Sequence, residues 1–173
     1  MIGFLRFIAV LNAAIWFGAA IFFAFGAGPV FFTPEFKQII PPPYNGVAAQ
    51  FVIGRFFIVQ HICGAVAVAH LLAEWLYTGR PLERFLFGML LGIFCLGLVG
   101  GFWLQPRLKH WHVVKYRGAT TEERAAAGRA FGIGHGISQV ANLIIIAGIG
   151  FYLLRVTSTK GSKKGVLVPG SRL

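Results

Sequence analysis

The chain has 173 residues, of which 57% are hydrophobic and 12% charged, with a mean hydropathy of +0.73. A soluble domain carries about one quarter charged residues, so the composition excludes an ordinary soluble enzyme and points to a one-domain integral membrane protein. Net charge is +11 and aspartate is absent; the basic residues fall in loops and tails between apolar runs, which fits anionic lipid headgroups and not nucleic acid.

The first span covers about residues 7–32. An apolar run of this length is too long for a signal peptide, so it reads as a spanning helix after Arg6. Ala14 and Gly18, four apart, would allow close helix packing. A loop follows, and its Pro41-Pro42-Pro43 reads as a stiff polyproline-like spacer. Tyr44-Asn45-Gly46 is then a turn or a helix start.

Span two is one long helix over about 47–77, with an apolar core at 56–73 and Trp75 and Tyr77 at the far interface. Cys63 in this span and Cys95 in the next read as small buried hydrophobes. After a short loop with Arg80-Pro81, span three covers 85–104. It carries two GxxxG pairs, Gly88/Gly92 and Gly97/Gly101, which predict close backbone approach to a neighbouring helix.

Residues 105–120 then read as an interfacial loop, with Trp103, Trp111 and Tyr116 beside basic residues that snorkel to headgroups. His110 and His112 fall in this loop and would point 200° apart on a helix, which argues against a shared ligand. Thr120-x-x-Glu123 is a capping-box pattern, so span four is expected over 121–155, ~50 Å of helix at 1.5 Å per residue. Gly128, Gly132 and Gly136 form a second small-residue face. The tail, 156–173, is rich in Gly, Ser and Lys; such a segment orders only against a partner. Four spans place both termini on one side. Basic residues split evenly between the two sides, and only Arg6 before span one and Glu35 after it lean towards cytoplasmic termini.

The stretch 131–154 has no charge and is long enough to cross a bilayer core of ~30 Å. Its first half carries His135, Ser138, Gln139 and Asn142 at i, i+3, i+4 and i+7, hence on one helix face. Lipid cannot satisfy such a stripe, so it must face protein, water or a ligand. Spans two and four run parallel, which puts His61 and His135 at about the same depth. Two level imidazoles suit axial ligation of haem b, copper binding or proton relay, and a single one could hold a chlorophyll-type pigment. Gln60, Ser138, Gln139 and Asn142 would then orient the rings. The plainer reading is a helix-to-helix hydrogen bond for each histidine. His70 and Glu74 form an i, i+4 pair at the other end of span two, either an interfacial ion pair or a proton access point. No P-loop, GxSxG or nucleophile–base pair occurs, and without aspartate paired-carboxylate chemistry is excluded.

Trp16-Phe17-Gly18, the exit Gly28-Pro29-Val30-Phe31, and Phe131 with His135, Ser138 and Asn142 together resemble the transmembrane protein 205-like family of small four-helix membrane proteins. A fainter similarity is to copper-resistance D-like proteins, although this chain has only Met1 and Met89 where that family is methionine-rich. The resemblance implies the fold and the polar face of the last span, and no reaction.

The expected architecture is therefore all-α: a four-helix membrane bundle over 1–155, with spans two and four extending beyond the bilayer. Its helices would pack through Gly18, Gly97, Gly101, Gly128, Gly132 and Gly136. The expected role is a non-catalytic accessory subunit of a larger membrane complex, of respiratory or photosynthetic type, with other membrane subunits as partners. The alternatives are haem, pigment or metal binding through His61 and His135, and a small proton- or metal-coupled transporter.

Overall fold

A computed structural model describes residues 2–79 and 81–158 of the chain. The expectation for the tail falls largely on residues 159–173, outside the described residues.

Helix α1 starts at Ile2, runs in α-geometry to Ile21, widens to a π-helix over Phe22–Ala27 and closes with the turn Gly28–Val30. A short helix, α2 (Pro34–Ile39), follows; the Thr33 hydroxyl caps it by accepting from the Phe36 N–H at 3.3 Å. Helix α3 spans Tyr44–Thr78 and stops at Gly79, whose φ of 62° is the left-handed conformation that glycine adopts without a Cβ clash. Helix α4 runs Arg84–Val99, continues as a π-helix over Gly100–Leu104 and ends with Gln105–Arg117. Helix α5 is Thr121–Thr157 and opens with a complete Thr120–Glu123 capping box.

The two π segments have one cause. Each leads into a proline, Pro29 or Pro106. A proline inside an α-helix lacks its N–H and collides with the carbonyl four residues back. Here the helix takes one extra residue per turn, so the residue before each proline bonds five back: Gly28 to the Phe23 carbonyl and Gln105 to the Gly100 carbonyl. This corrects the expected end of span three at 104. What reads as an interfacial loop is helix as far as Arg117, and the connection to α5 shrinks to Gly118, Ala119 and Thr120. Three helices, not two, are therefore 34–37 residues long, well beyond the about 20 residues that cross a bilayer core. The triple proline is likewise no extended spacer. It forms the turn into α3, with a cis Pro42–Pro43 bond and the Tyr44 N–H on the Pro41 carbonyl at 2.9 Å.

Helices α1, α3, α4 and α5 are each long and apolar enough to cross a membrane, and the chain is a multi-pass membrane protein. Neighbours around the bundle are α1–α3, α3–α4, α4–α5 and α5–α1, so α3 and α5 sit on a diagonal. Trp16, Leu90, Ile149 and Tyr152 fill the centre, while rows of Phe, Leu and Ile face outward as lipid-exposed surface. Polar ties fix the helices laterally. Asn12 Nδ2 donates to the Cys63 carbonyl at 2.9 Å, and Asn45 Nδ2 to the Phe31 carbonyl at 3.1 Å. The start of α1 and the end of α5 lie at one end of the bundle, where Arg6 Nη2 donates to the Thr157 carbonyl at 3.3 Å. There Arg155 also forms a two-pronged ion pair with Glu83, 2.7 Å at its shortest.

Candidate functional site

The half of the bundle towards α2 encloses a cavity of about 440 Å³. Both π segments border it, through Phe23 and Ala24 on α1 and Gly100 and Leu104 on α4. The first halves of α3 and α5 complete the wall. Phenylalanines dominate: Phe23 stacks on Phe56 at 4.5 Å, and Phe57 and Phe131 stand nearby on the wall. The polar stripe of α5 opens into this space, since His135, Ser138, Gln139 and Asn142 all line it. It is not a tight packing seam: Gln139 is exposed and the other three are half-buried.

The stripe is partly self-satisfied. Ser138 Oγ donates to the His135 carbonyl at 2.8 Å, and Gln139 Nε2 lies 3.3 Å from His135 Nε2. The ring of His135 stacks parallel to Phe131 at 6.0 Å. Across the cavity, Gln60 is 2% exposed, and its Nε2 has no hydrogen-bond partner. The amide has room because α4 presents Gly97 there; a Cβ on that residue would stand 2.6 Å from Gln60 Nε2. The charged side chains on the described wall are Lys37 and Lys115, both cationic. Lys115 Nζ sits 5.2 Å over the Tyr116 ring and 5.8 Å over Phe131.

His61 and His135 do not share this site. His61 is turned towards α4, where its Nε2 donates to the Gly97 carbonyl at 3.1 Å. Its ring stacks on the outward-facing Phe102 at 5.1 Å. One residue is about 100° of helix, so it is Gln60 that points inward. The imidazole that joins His135 is His112, on the continued α4. It is buried, it lines the cavity, and its ring lies 5.7 Å from Phe131, so Phe131 touches both histidines. Gly46 at the start of α3 makes space for it, since any side chain there would collide with the imidazole. The sequence places His112 in an interfacial loop over 105–120, whereas it lies on continuous helix. The available signal was helical continuity: carried past the proline, Leu108, His112 and Lys115 fall on one face. Among the described residues, no three His, Cys, Asp or Glu side chains are grouped to hold a metal ion.

His70 and Glu74 line a separate cavity of about 460 Å³ at the terminal end. His70 is 8% exposed with Nδ1 unpartnered. Of the expected packing glycines, Gly97 and Gly101 do meet α3, at Gln60 and His61. Gly128 is in ordinary contact with Lys115 at 3.9 Å. Gly18, Gly132 and Gly136 have no neighbour within 4 Å, and neither do Gly88 and Gly92. The close approach on α5 falls instead at Gly134, against Trp111 and Leu108.

A family model described as a domain of unknown function, DUF4149, matches residues 11–117. The matched stretch ends with α4, so the polar stripe of α5 lies beyond it. No curated protein and no solved structure matches the chain, and neither family named on the motifs above is among the findings. The match covers more than half of the sequence, and the chain belongs to the DUF4149 family.

Proposed function

We propose that this membrane protein binds a lipophilic small molecule bearing hydrogen-bond acceptors inside its bundle. The observation that carries this reading is Gln60: a buried amide N–H without a partner, on a residue that lines a cavity rich in phenylalanine. Leaving such a group unpaired costs about 1–3 kcal/mol, so a carbonyl or carboxylate oxygen from a guest is the natural complement. Asn142 and the His135–Gln139 pair offer further polar contacts on the facing wall. Lys37 and Lys115, with no carboxylate on the described wall, favour a neutral or anionic guest over a cationic one. The stacked Phe23–Phe56 pair and Phe57 would hold the apolar body.

The test uses the purified full chain, stripped of lipid in mild detergent, with palmitate and hexadecylamine as probes in native mass spectrometry. Palmitate is expected to be retained at least tenfold better than the amine, and Gln60→Leu to weaken its retention about tenfold. Equal retention of the two probes, or unchanged retention in the variant, overturns the reading.

A second reading, membership of a larger membrane assembly, draws on the outward glycines. A Cβ on Gly88, Gly92, Gly132 or Gly136 would meet nothing within 4 Å among the described residues, and small residues on a lipid-facing helix surface favour close association with another helix. A Gly132→Leu/Gly136→Leu variant that leaves the protein's migration in native gels of mild-detergent membrane extracts unchanged would remove it.

A further inference from the structure

Three of the four helix seams around the larger cavity are tied shut. Between α1 and α3, Phe23 stacks on Phe56 and Asn45 Nδ2 holds the Phe31 carbonyl. Between α3 and α4, Gln105 Nε2 donates to the Gln50 carbonyl at 3.4 Å, and Gly97 and Gly101 bring α4 against Gln60 and His61. Between α4 and α5, Trp111 and Leu108 press on Gly134, where an added Cβ would stand 2.8 Å from the indole.

The seam between α5 and α1 differs along its length. In the half of the bundle away from the cavity α1 covers α5: a Cβ on Gly150 would stand 3.2 Å from the Phe17 ring. Gly132 precedes Gly150 by 18 residues, about five turns at 3.6 residues per turn, so the two share a face. Gly136, Gln139 and Leu143 lie on that face as well. Yet Gly132, Gly136, Gln139 and Leu143 are all exposed. The reason is the course of α1. It packs on α5 mainly through its α-helical part, Ile2–Ile21. Beyond that part its π segment and exit turn are committed to α3, through Phe23 and the Phe31 carbonyl. Level with the cavity, the one ring contact across the seam among the described residues is a tilted one, Phe32 with His135, centroids 6.5 Å apart. Pro29, Phe32 and Gln139 each line the cavity and are each exposed, so the cavity wall and the outer surface meet here. Phe25, Ile137 and Val140 surround the seam, exposed and apolar, so it gives onto lipid.

The cavity has the depth of a lipid chain. Its wall on α5 runs from Phe131 to Ile145, ~21 Å at 1.5 Å per residue, against ~15 Å for half of a ~30 Å bilayer core. Lys37 and Lys115 stand at its outer end, Lys115 Nζ lying 5.8 Å over Phe131 where the uncharged stretch of α5 begins.

We infer that the α1–α5 seam is a lateral portal, through which a single-chain anionic amphiphile passes from the surrounding leaflet into the cavity. Its chain slides between Pro29 and Phe32 on one side and Gln139 on the other, while its head stays level with Lys37 and Lys115. Such a guest keeps its charge at the interface and its chain in hydrocarbon throughout, and so avoids the cost of carrying a charge into the bilayer. The portal rests on the reading of the cavity as a lipophile site and adds the route and orientation of the guest.

The test uses the full chain with Phe32→Cys and Gly136→Cys in a Cys95→Ser background, because Cys95 is exposed and Cys63 buried. The protein is stripped of lipid, reconstituted in phosphatidylcholine vesicles and bridged across the seam by a short bis-maleimide with a reducible disulfide. Uptake of palmitate is followed by native mass spectrometry of timed samples. Bridging acts on the folded protein, so a folding defect cannot mimic its effect. Uptake is expected to be at least tenfold slower in the bridged protein and to recover on reduction. Palmitate loaded before bridging is expected to survive transfer into lipid-free micelles. Equal uptake with and without the bridge overturns the portal and leaves the lipophile site standing. Absence of palmitate retention in the unbridged protein overturns both. Linked dimers in place of the bridge within one chain make the seam an interface between copies and overturn the portal.

Discussion

Replacing Gln60 by leucine should stabilise the empty protein and weaken its ligand binding at once. Gln60 sits at the middle of α3 with its Nε2 unpaired and nearly all of its surface buried. Burying an N–H without a partner costs about 1–3 kcal/mol. Leucine has a similar volume, no donor, and can use the same gap opposite Gly97. The variant, stripped of lipid, is expected to gain about 1–2 kcal/mol in unfolding free energy. With a guest bound the amide is satisfied, so the same change removes a hydrogen bond and lowers affinity about tenfold. The assay is unfolding of the stripped protein in mixed micelles by increasing SDS, followed by circular dichroism, beside the palmitate measurement. A loss of 1 kcal/mol or more (~1 kcal/mol being one typical net hydrogen bond) in the stripped variant would refute the reasoning. It would mean that the amide has a protein partner.

Further predictions concern packing and polar ties. Gly101→Ala places a Cβ 2.7 Å from His61 Cε1 and 3.1 Å from Phe57, so it should cost about 1–3 kcal/mol through overpacking, read in the same SDS titration. Gly18→Ala meets nothing within 4 Å and should be neutral or gain up to about 1 kcal/mol from helix propensity; a large loss there would place a second chain against α1. Asn12→Leu removes the 2.9 Å bond to the Cys63 carbonyl and is expected to cost about 0.5–2 kcal/mol, the range for interhelical hydrogen bonds in membranes. Glu83→Gln breaks an ion pair whose side chains are 36% and 49% exposed, and its thermal midpoint should barely move, by no more than about 1 kcal/mol equivalent.

Much of the candidate site could be read along the chain. The i, i+3, i+4, i+7 spacing of His135, Ser138, Gln139 and Asn142 identifies a face that lipid cannot serve, and all four residues do line the cavity. Their partners could not be read in the same way. Equal depth on parallel helices pairs His61 with His135, but depth says nothing of rotation. The glycines at 97 and 101 draw His61 against α4, and the inward place goes to Gln60. His112 was hidden by reading 105–120 as an interfacial loop; a π turn instead carries α4 past Pro106 by moving the hydrogen bond one residue further back.

By itself the sequence determined what depends on solvent and local chain chemistry. Four uncharged runs must become spanning helices, because lipid satisfies no free backbone group. Thr120 and Glu123 must cap α5, and Gly79 can end α3 in the left-handed conformation. Only the tertiary structure decided which faces meet. The α3–α4 seam closes on Gly97 and Gly101 while Gly88, Gly92, Gly132 and Gly136 stay open, although all six look alike in sequence. Helix rotation is set by the whole set of contacts around the bundle, and with lipid as apolar as leucine it is shape and hydrogen bonding, not hydrophobicity, that choose it. That choice turned an unexplained polar stripe into one wall of a cavity, with Gln60 and His112 as the other.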